Sequence, residues 1–594
     1  MYRLKLDSLR NLMRMKGIDI YYIPTADYHE SEYVIDYFKA RAYMTGFTGS
    51  AGVAVVTMKE AGLWTDGRYF IQAEKQIRGT GFELYRMGNE GVLTVQEFMQ
   101  EKLPDGGCIG FDGRVVNDRD GEAFRAIAAA KKGRLETGED LVGQIWTDRP
   151  ALASGPAFYL DEKYSGETPD SKLTRIRACM EKEGAKYHIV SSLDDIAWIL
   201  NVRGSDIPHV PVILSYLVIG SERVLWFVDE SCLDETIKSR MAACGVETQP
   251  YDEIYAWASG VAGGTSILLD RGTVNYRILM SLPSDAVIID RENPAVEMKA
   301  VKNPVEIENI RHAHIIDGVA VTKFMYWLKK KIGTEPITEL SASDYLESLR
   351  ASQDGYRELS FTTISAYGAN AAMMHYAPTP DSNAALAPKG FLLVDSGGHY
   401  MTGSTDITRT FALGELTPDE KKFFTLVAKG NLNLANAKFL AGCTGLNLDI
   451  LARGPVWQHA VDYQCGTGHG VGYMLCVHEK PNGIRWRPRK GSNCELKEGM
   501  VTTDEPGIYA EGRFGIRTEN ELLCVKAEKN VYGQFLQFEN LTYAPIDLDA
   551  IDPAYLNEDD KKQLNRYHET VYRTLAPYLT PDECEWLKEY TRAI

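Results

Sequence analysis

Residues 391–412 read FLLVDSGGHYMTGSTDITRTFA. An apolar run, FLLV, leads into Asp395, a stretch rich in Gly and Ser turns the chain, and DITRTFA resumes a strand pattern from Asp406. The two carboxylates therefore fall near the neck of a hairpin-like unit, close enough to share metal ions. The arrangement recurs at 500–525, MVTTDEPGIYAEGRFGIRTENELLCV: MVTTDE leads into Glu505, PGIYAEGRFG reads as a turn, and IRTENELLCV carries Glu519 into a strand. Between the two units lies GTGHGVG (466–472), where glycines on both sides of His469 let the backbone come close to a metal or a substrate.

Asp395, Asp406, His469, Glu505 and Glu519 thus read as one dinuclear metal site of four carboxylates and one imidazole. Such an oxygen-rich set selects hard or borderline divalent ions such as Mn²⁺. Two such ions held together activate a water and polarise a carbonyl, which makes a hydrolase the leading expectation. Taken singly, each piece has a plainer reading. A lone Asp at a strand end is usually a turn residue, and GTGHGVG lacks the Lys and the strand–helix setting of a phosphate loop. The weight lies in the series VDSG, STDITRT, GTGHGVG, TDEPG and IRTEN, in that order between residues 394 and 520.

That series resembles the pita-bread metallopeptidases, the family of methionine aminopeptidase, prolidase and Xaa-Pro aminopeptidase. HYAPTP (375–380) and VHEKP (477–481) are similar to the proline-specific branch, as are GFTGSAGVAVVT (46–57), LWTDGRYFIQA (63–73), LDDIAWILNVRGSD (193–206) and AVKNPVEIENIRHAH (300–314). The resemblance covers nearly the whole chain and is nearest to the cytosolic-type, three-domain Xaa-Pro aminopeptidases. One departure is Thr518, where relatives often carry an aliphatic residue. The resemblance implies that Asp395 holds one ion, that His469 and Glu505 hold the other, and that Asp406 and Glu519 bridge both. It further implies that a water between the ions is the nucleophile, with Glu505 taking its proton. His375 and His478 would bind substrate carbonyls and stabilise the developing charge, while Arg517 and Tyr509 support the ligands from behind. The expected substrate is a peptide with proline in second position. The alternatives carried are a prolidase restricted to Xaa-Pro dipeptides and a non-catalytic binding protein on the same fold. Asp66 and Arg68 of WTDGRY are expected to form a structural ion pair rather than part of the site.

A chain of 594 residues is too long for one ordinary core. Its 44% hydrophobic and 25% charged residues are those of a soluble globular protein. A net charge of −17 argues against nucleic acid or an anionic membrane as partner. No apolar run reaches the roughly 18 residues that cross a bilayer. MYRLKLDSLRNLMRMKG (1–17) carries charge throughout and predicts an amphipathic helix rather than a signal peptide. Ten cysteines with no CxxC pair predict reduced thiols in a cytoplasm; Cys465, Cys476 and Cys524 read as small buried hydrophobes.

An internal repeat organises the first half. GIDIYYIPTADYHESEY (17–33) parallels GAKYHIVSSLDDIAWIL (184–200), TGFTGS (45–50) parallels VRGSD (202–206), and GVAVVTMKEAGLWTDGR (52–68) parallels YLVIGSERVLWFVDE (216–230). The expected fold is therefore α/β (α+β): two duplicated creatinase-N-like α/β domains, 1–155 and 156–300, then a pita-bread catalytic domain, 301–594, with a C-terminal helical tail. TDRPALASGPAFYL (147–160) is the expected linker. Pro304 followed by Glu306 and Glu308 predicts a helix start. The family's members imply a homodimer.

Overall fold

The computed structural model describes residues 1–152, 154–488 and 494–594, so Ala153 of the expected linker lies outside the described residues. The chain divides into two compact units, Met1–Leu160 with Glu167–Ala295, and Asp161–Gly166 with Val296–Ile594.

The first unit holds two six-stranded sheets. Strands β1 (Ile20–Ile23), β2 (Val53–Thr57), β3 (Ala61–Thr65), β4 (Glu83–Arg86), β5 (Cys108–Gly110) and β6 (Arg134–Glu136) lie in the order β4-β3-β2-β1-β5-β6. Strands β7 (Tyr187–Val190), β8 (Ser215–Gly220), β9 (Val224–Val228), β10 (Val246–Gln249), β11 (Ser266–Leu269) and β12 (Val287–Asp290) lie in the order β10-β9-β8-β7-β11-β12. The order is the same, and so are the directions: the founding strand pairs antiparallel with its second and parallel with its fifth in both sheets. The repeat read from sequence is thus a repeat of topology. The strands are near-continuous apolar runs because both faces are covered. In the first sheet Ile20, Tyr22, Val55 and Trp64 pack on one side, and Tyr21, Ile23, Ala54, Val56 and Leu63 on the other. The N-terminal helix α1 (Tyr2–Lys16) buries Leu6, Leu9 and Met13 against this second face and ends at Gly17, whose φ of 63° is the left-handed conformation a helix stop needs. Arg68 grips Asp66 through two hydrogen bonds of 2.8 Å.

The second unit opens with helix α2 (Pro304–Lys331). The side chain of Asn303 accepts from the N–H groups of Val305 and Glu306, and Glu306 accepts from the N–H of Asn303, a reciprocal cap that fixes the helix start. Six residues from far upstream, Asp161–Gly166, lie on its first turns. Asn303 Nδ2 donates to the Ser165 carbonyl (2.8 Å), and Asn309 Nδ2 donates to those of Lys163 and Tyr164 (3.1 and 3.2 Å).

Strands β13 (Ile364–Tyr367), β14 (Phe391–Ser396) and β15 (Ile407–Ala412) form an antiparallel sheet with β14 in the middle. A second, larger sheet contains β16 (Lys438–Leu440), β17 (Gly468–Gly470), β18 (Glu479–Ile484) and β19 (Val501–Asp504). The next pair, β20 (Gly507–Ala510) and β21 (Phe514–Arg517), forms a separate hairpin, and β22 (Asn520–Asn530) and β23 (Gly533–Asn540) complete the larger sheet in the order β16-β23-β22-β19-β17-β18. Helices α3 (Pro418–Ala435), α4 (Gly445–Trp457) and α5 (Glu558–Leu575) pack onto these sheets around apolar clusters that include Phe424, Val427, Val456, Leu564 and Val571.

Two segments expected as plain turns are more ordered than that. SGGHYMTGST contains the strand pair Gly398–Tyr400 and Gly403–Ser404, held because His399 and Tyr400 are buried and Tyr400 OH donates to Asp317 (2.7 Å). PGIYAEGRFG is the β20–β21 hairpin, with its tip at residues 511–513, so Glu519 sits in the break between β21 and β22 rather than inside one long strand. The first rests on a contact 83 residues distant and the second on local strand pairing from Gly507–Arg517 to Ala510–Phe514, and Gly content alone signals neither.

Candidate metal centre

Asp395 lies on β14 directly opposite Thr408 of β15, and Asp406 sits one residue before β15 begins. Glu505 follows β19, Glu519 precedes β22, and the two strands pair Asp504 with Asn520. His469 is the middle residue of β17. Close approach makes Gly468 necessary there: a Cβ on it would stand 2.0 Å from the Thr503 carbonyl of β19. Gly397 plays the same part on the other sheet, where a Cβ would meet the Thr405 carbonyl at 1.8 Å.

The five residues converge. Asp406, His469 and Glu519 each offer one ligand atom, all within 4.8 Å of one another. His469 Nε2 is 3.5 Å from Asp406 Oδ2 and 3.7 Å from Glu505 Oε1. Asp395, Asp406 and Glu519 are buried, whereas Glu505 and His469 remain partly exposed and leave the site open on that side. Arg517 Nη2 donates to Asp395 Oδ2 at 2.5 Å, Nε to Thr408 Oγ1 at 3.0 Å and Nη1 to Tyr509 OH at 2.6 Å. Thr408 Oγ1 in turn donates to Glu519 Oε2 at 2.7 Å. The Asp406 N–H donates to Glu521 Oε1 at 2.7 Å, and His314 Nε2 stands 3.1 Å from the same oxygen. The rings of His469 and His478 meet edge to face at 4.3 Å. The Met374 carbonyl, next to His375, is 3.4 Å from Arg517 Nη2, which sets the HYAPTP segment beside the cluster.

The electrostatics are those of crowded acids. Burial, then the charges of Asp395, Glu505 and Glu521, push Asp406 well above the usual carboxylate range. Glu519 is driven the same way by burial and then by Asp406, Asp395 and Glu505. Glu505 rises to about 7 through burial and Asp395, although Arg517, His478 and Arg485 pull it down. Asp395 Oδ1 is buried and accepts no hydrogen bond among the described residues. Four carboxylates that repel one another, an imidazole and a buried oxygen without a donor are a donor set that fits divalent cations.

Sequence reading named all five members of the cluster together with His375, His478, Tyr509 and Arg517. It passed over Thr408, Glu521, His314 and Arg485. Thr408 lies inside a quoted motif, but its partner Glu519 is 111 residues away and no local signal pairs them.

Family models match along the chain: metallopeptidase family M24 over residues 308–526, the C-terminal region of that family over 534–594, and the creatinase/prolidase N-terminal domain over both 5–131 and 148–306. The two N-terminal matches fall on the two six-stranded sheets and the M24 match on the strands that carry the metal centre. Aminopeptidase P1 of Arabidopsis thaliana is 37% identical, covering 99% of both chains. The probable Xaa-Pro aminopeptidase P of Coprinopsis cinerea is also 37% identical, over 99% of this chain and 98% of its own. The crystal structure of X-prolyl aminopeptidase from Caenorhabditis elegans, described as a cytosolic enzyme with a di-nuclear active site, matches with a TM-score of 0.95 at 35% identity, covering 100% of both chains. The prolidase from Pyrococcus horikoshii OT3 shares the fold over 64% of this chain, with a TM-score of 0.50 at 23% identity. The architecture is thus two creatinase-N-like domains and a pita-bread domain.

Proposed function

The chain belongs to metallopeptidase family M24, and from that premise we propose that it is an Xaa-Pro aminopeptidase with two divalent ions, Mn²⁺, at the cluster of Asp395, Asp406, His469, Glu505 and Glu519. The observation that carries the reading is the convergence of those five side chains in one partly open, acid-crowded site. Asp395 would hold one ion and His469 and Glu505 the other, with Asp406 and Glu519 placed to serve both. When bound, the ions supply Lewis acidity and lower the pKa of water to near neutrality.

The chain's own residues do the rest. Glu505 receives a proton from the attacking water. His478, packed against His469, and His375 donate hydrogen bonds to the substrate carbonyls where charge develops. Arg517 holds the Asp395 carboxylate, and Tyr509 holds Arg517. Proline in second position gives the scissile bond a tertiary amide with no N–H and a fixed ring, so recognition rests on a ring-shaped pocket rather than backbone pairing. The relatives that match this chain over its full length are named aminopeptidase P and X-prolyl aminopeptidase, which supports peptides of three or more residues as substrates.

The ten cysteines stand as thiols, which supports a reducing, cytoplasmic setting; no helix among the described residues is long and apolar enough to cross a membrane. Exposed Ile450, Trp457 and Trp486, with the two indoles 5.6 Å apart, form an apolar patch that supports a homodimer.

The test is product analysis by mass spectrometry after the protein is stripped of metal and reloaded with Mn²⁺, Co²⁺ or Zn²⁺. Xaa-Pro-Xaa peptides should lose their first residue, while alanine in second position or an acetylated amine should remove most of the rate. Cleavage of Xaa-Pro dipeptides only would make the chain a prolidase. Equal cleavage of proline-free or acetylated peptides would reject the assignment.

A further inference from the structure

We infer that Asp449, Arg453 and Thr467 form a positioning device for one half of the metal centre, the half built from His469 and Glu505; the inference rests on the ligand roles proposed above. Thr467 is fully buried and stands two residues before His469. Its N–H donates to the Ile484 carbonyl of β18 at 2.8 Å, and its own carbonyl accepts the N–H of Glu505 at 2.7 Å. One residue therefore touches the backbone of one ligand and leads directly into the other. Its hydroxyl donates to Asp449 Oδ1 at 2.6 Å and shares a hydrogen bond with Tyr463 OH at 2.7 Å.

Behind Thr467, helix α4 presents Asp449 and Arg453 one turn apart. Arg453 Nε and Nη2 clasp the Asp449 carboxylate at 2.7 and 3.2 Å. The guanidinium also donates to the Tyr463 carbonyl (2.8 Å), the Cys465 carbonyl (3.1 Å) and Asp462 Oδ1 (2.7 Å), and it stacks 3.8 Å from the Tyr463 ring. Apart from Asp449, each of these contacts ends on residues 462–467.

A buried ion pair is a poor device for stability alone, because desolvation offsets most of its attraction and an apolar filling of equal volume would serve as well. What it supplies is direction. The segment it grips runs Gly466-Thr467-Gly468, with no side chain but that of Thr467 through which to fix it, and glycine leaves the backbone free unless something outside restrains it. Asp395 and Asp406 come from a different sheet, at β14 and β15, and the grip does not reach them. Loosening it should therefore weaken one ion and spare the other.

The experiment titrates metal-free protein with Mn²⁺ by calorimetry, so that the readout is stoichiometry and affinity rather than turnover. Wild type should bind two ions. Thr467→Val keeps the shape and loses the hydroxyl; it should keep one ion at wild-type affinity and bind the second about 10–100-fold more weakly. Thr467→Ser, which restores the hydroxyl, should restore the second ion. Two ions at wild-type affinity in Thr467→Val, or equal weakening of both, would overturn the inference. Should Thr467→Val fail to fold by circular dichroism, Asp449→Asn, which keeps volume and weakens both clasps, is held to the same criterion. Fewer than two ions in wild type would instead overturn the ligand roles themselves.

Discussion

Asp406 is held through its main chain by Glu521 while its side chain faces His469 and Glu519, so it can be altered without unfolding its surroundings. Asp406→Ala and Glu519→Ala should each reduce peptide cleavage to background and abolish binding of a pair of ions, with the far-ultraviolet spectrum unchanged; near wild-type turnover in either would remove it from the metal centre. His478→Ala should behave differently, losing about 10²–10³-fold in turnover while still binding two ions. Loss of metal in that variant would make His478 a ligand. These residues were legible in the sequence because each sits in a short motif punctuated by Gly or Pro, where a functional side chain has few structural competitors. Arg453 was not legible. It lies on an ordinary helix, and its meaning depends on backbone carbonyls up to 12 residues away. His314 lies in the motif AVKNPVEIENIRHAH but was given no role from sequence, whereas it is buried against Glu521 from the far end of the unit.

Among the elements, α5 was expected from its polar, intermittently apolar tail sequence, but what it secures was not. His568 on this helix is buried, and its Nε2 accepts the Ile546 N–H at 3.1 Å. Burial first, and then the charge of Arg409, lower it to about 3. A histidine of ordinary pKa in the unfolded chain gains a proton as pH falls below about 6.5. The folded chain does not, so this group costs stability progressively from about pH 6.5 down to about pH 3, at about 1.4 kcal/mol per pH unit. The crowded acids of the metal-free centre act in the opposite sense, so the effect of His568 is read as a difference: from pH 6 to pH 4 the thermal midpoint of His568→Gln, whose side-chain carbonyl still accepts the N–H, should rise relative to that of wild type. Parallel slopes would assign the acid sensitivity elsewhere. The strands divide in the same way. Alternation and apolar runs announced β14, β15, β19 and β22, while the β20–β21 hairpin was hidden inside a stretch that looked like turn chemistry alone.

At the scale of the molecule, the duplicated sheets and the metal-bearing unit have separate cores, and the ligands all belong to the second unit. Calorimetric unfolding should resolve two transitions. Only one should rise when Mn²⁺ replaces chelator, by several degrees, since each ion stabilises its unit by about 2.7 kcal/mol at a free concentration one hundred times Kd. Equal shifts in both would mean that the units unfold as one. The strap of Asp161–Gly166 adds a matter of timing. Its partners on α2 are encoded far downstream: Asn303 follows Ser165 by 138 residues. At about 5–20 residues per second, the ribosome delivers Asn303 roughly 7–28 s after Ser165. Throughout that interval the carbonyls of Lys163, Tyr164 and Ser165 lack these α2 partners, while residues 167–295 emerge and complete the unit that flanks the strap in sequence. A ribosome stalled once Ala295 had cleared its exit tunnel, with Asn303 and Asn309 still inside, would thus present a finished first unit bearing six residues that still await their helix.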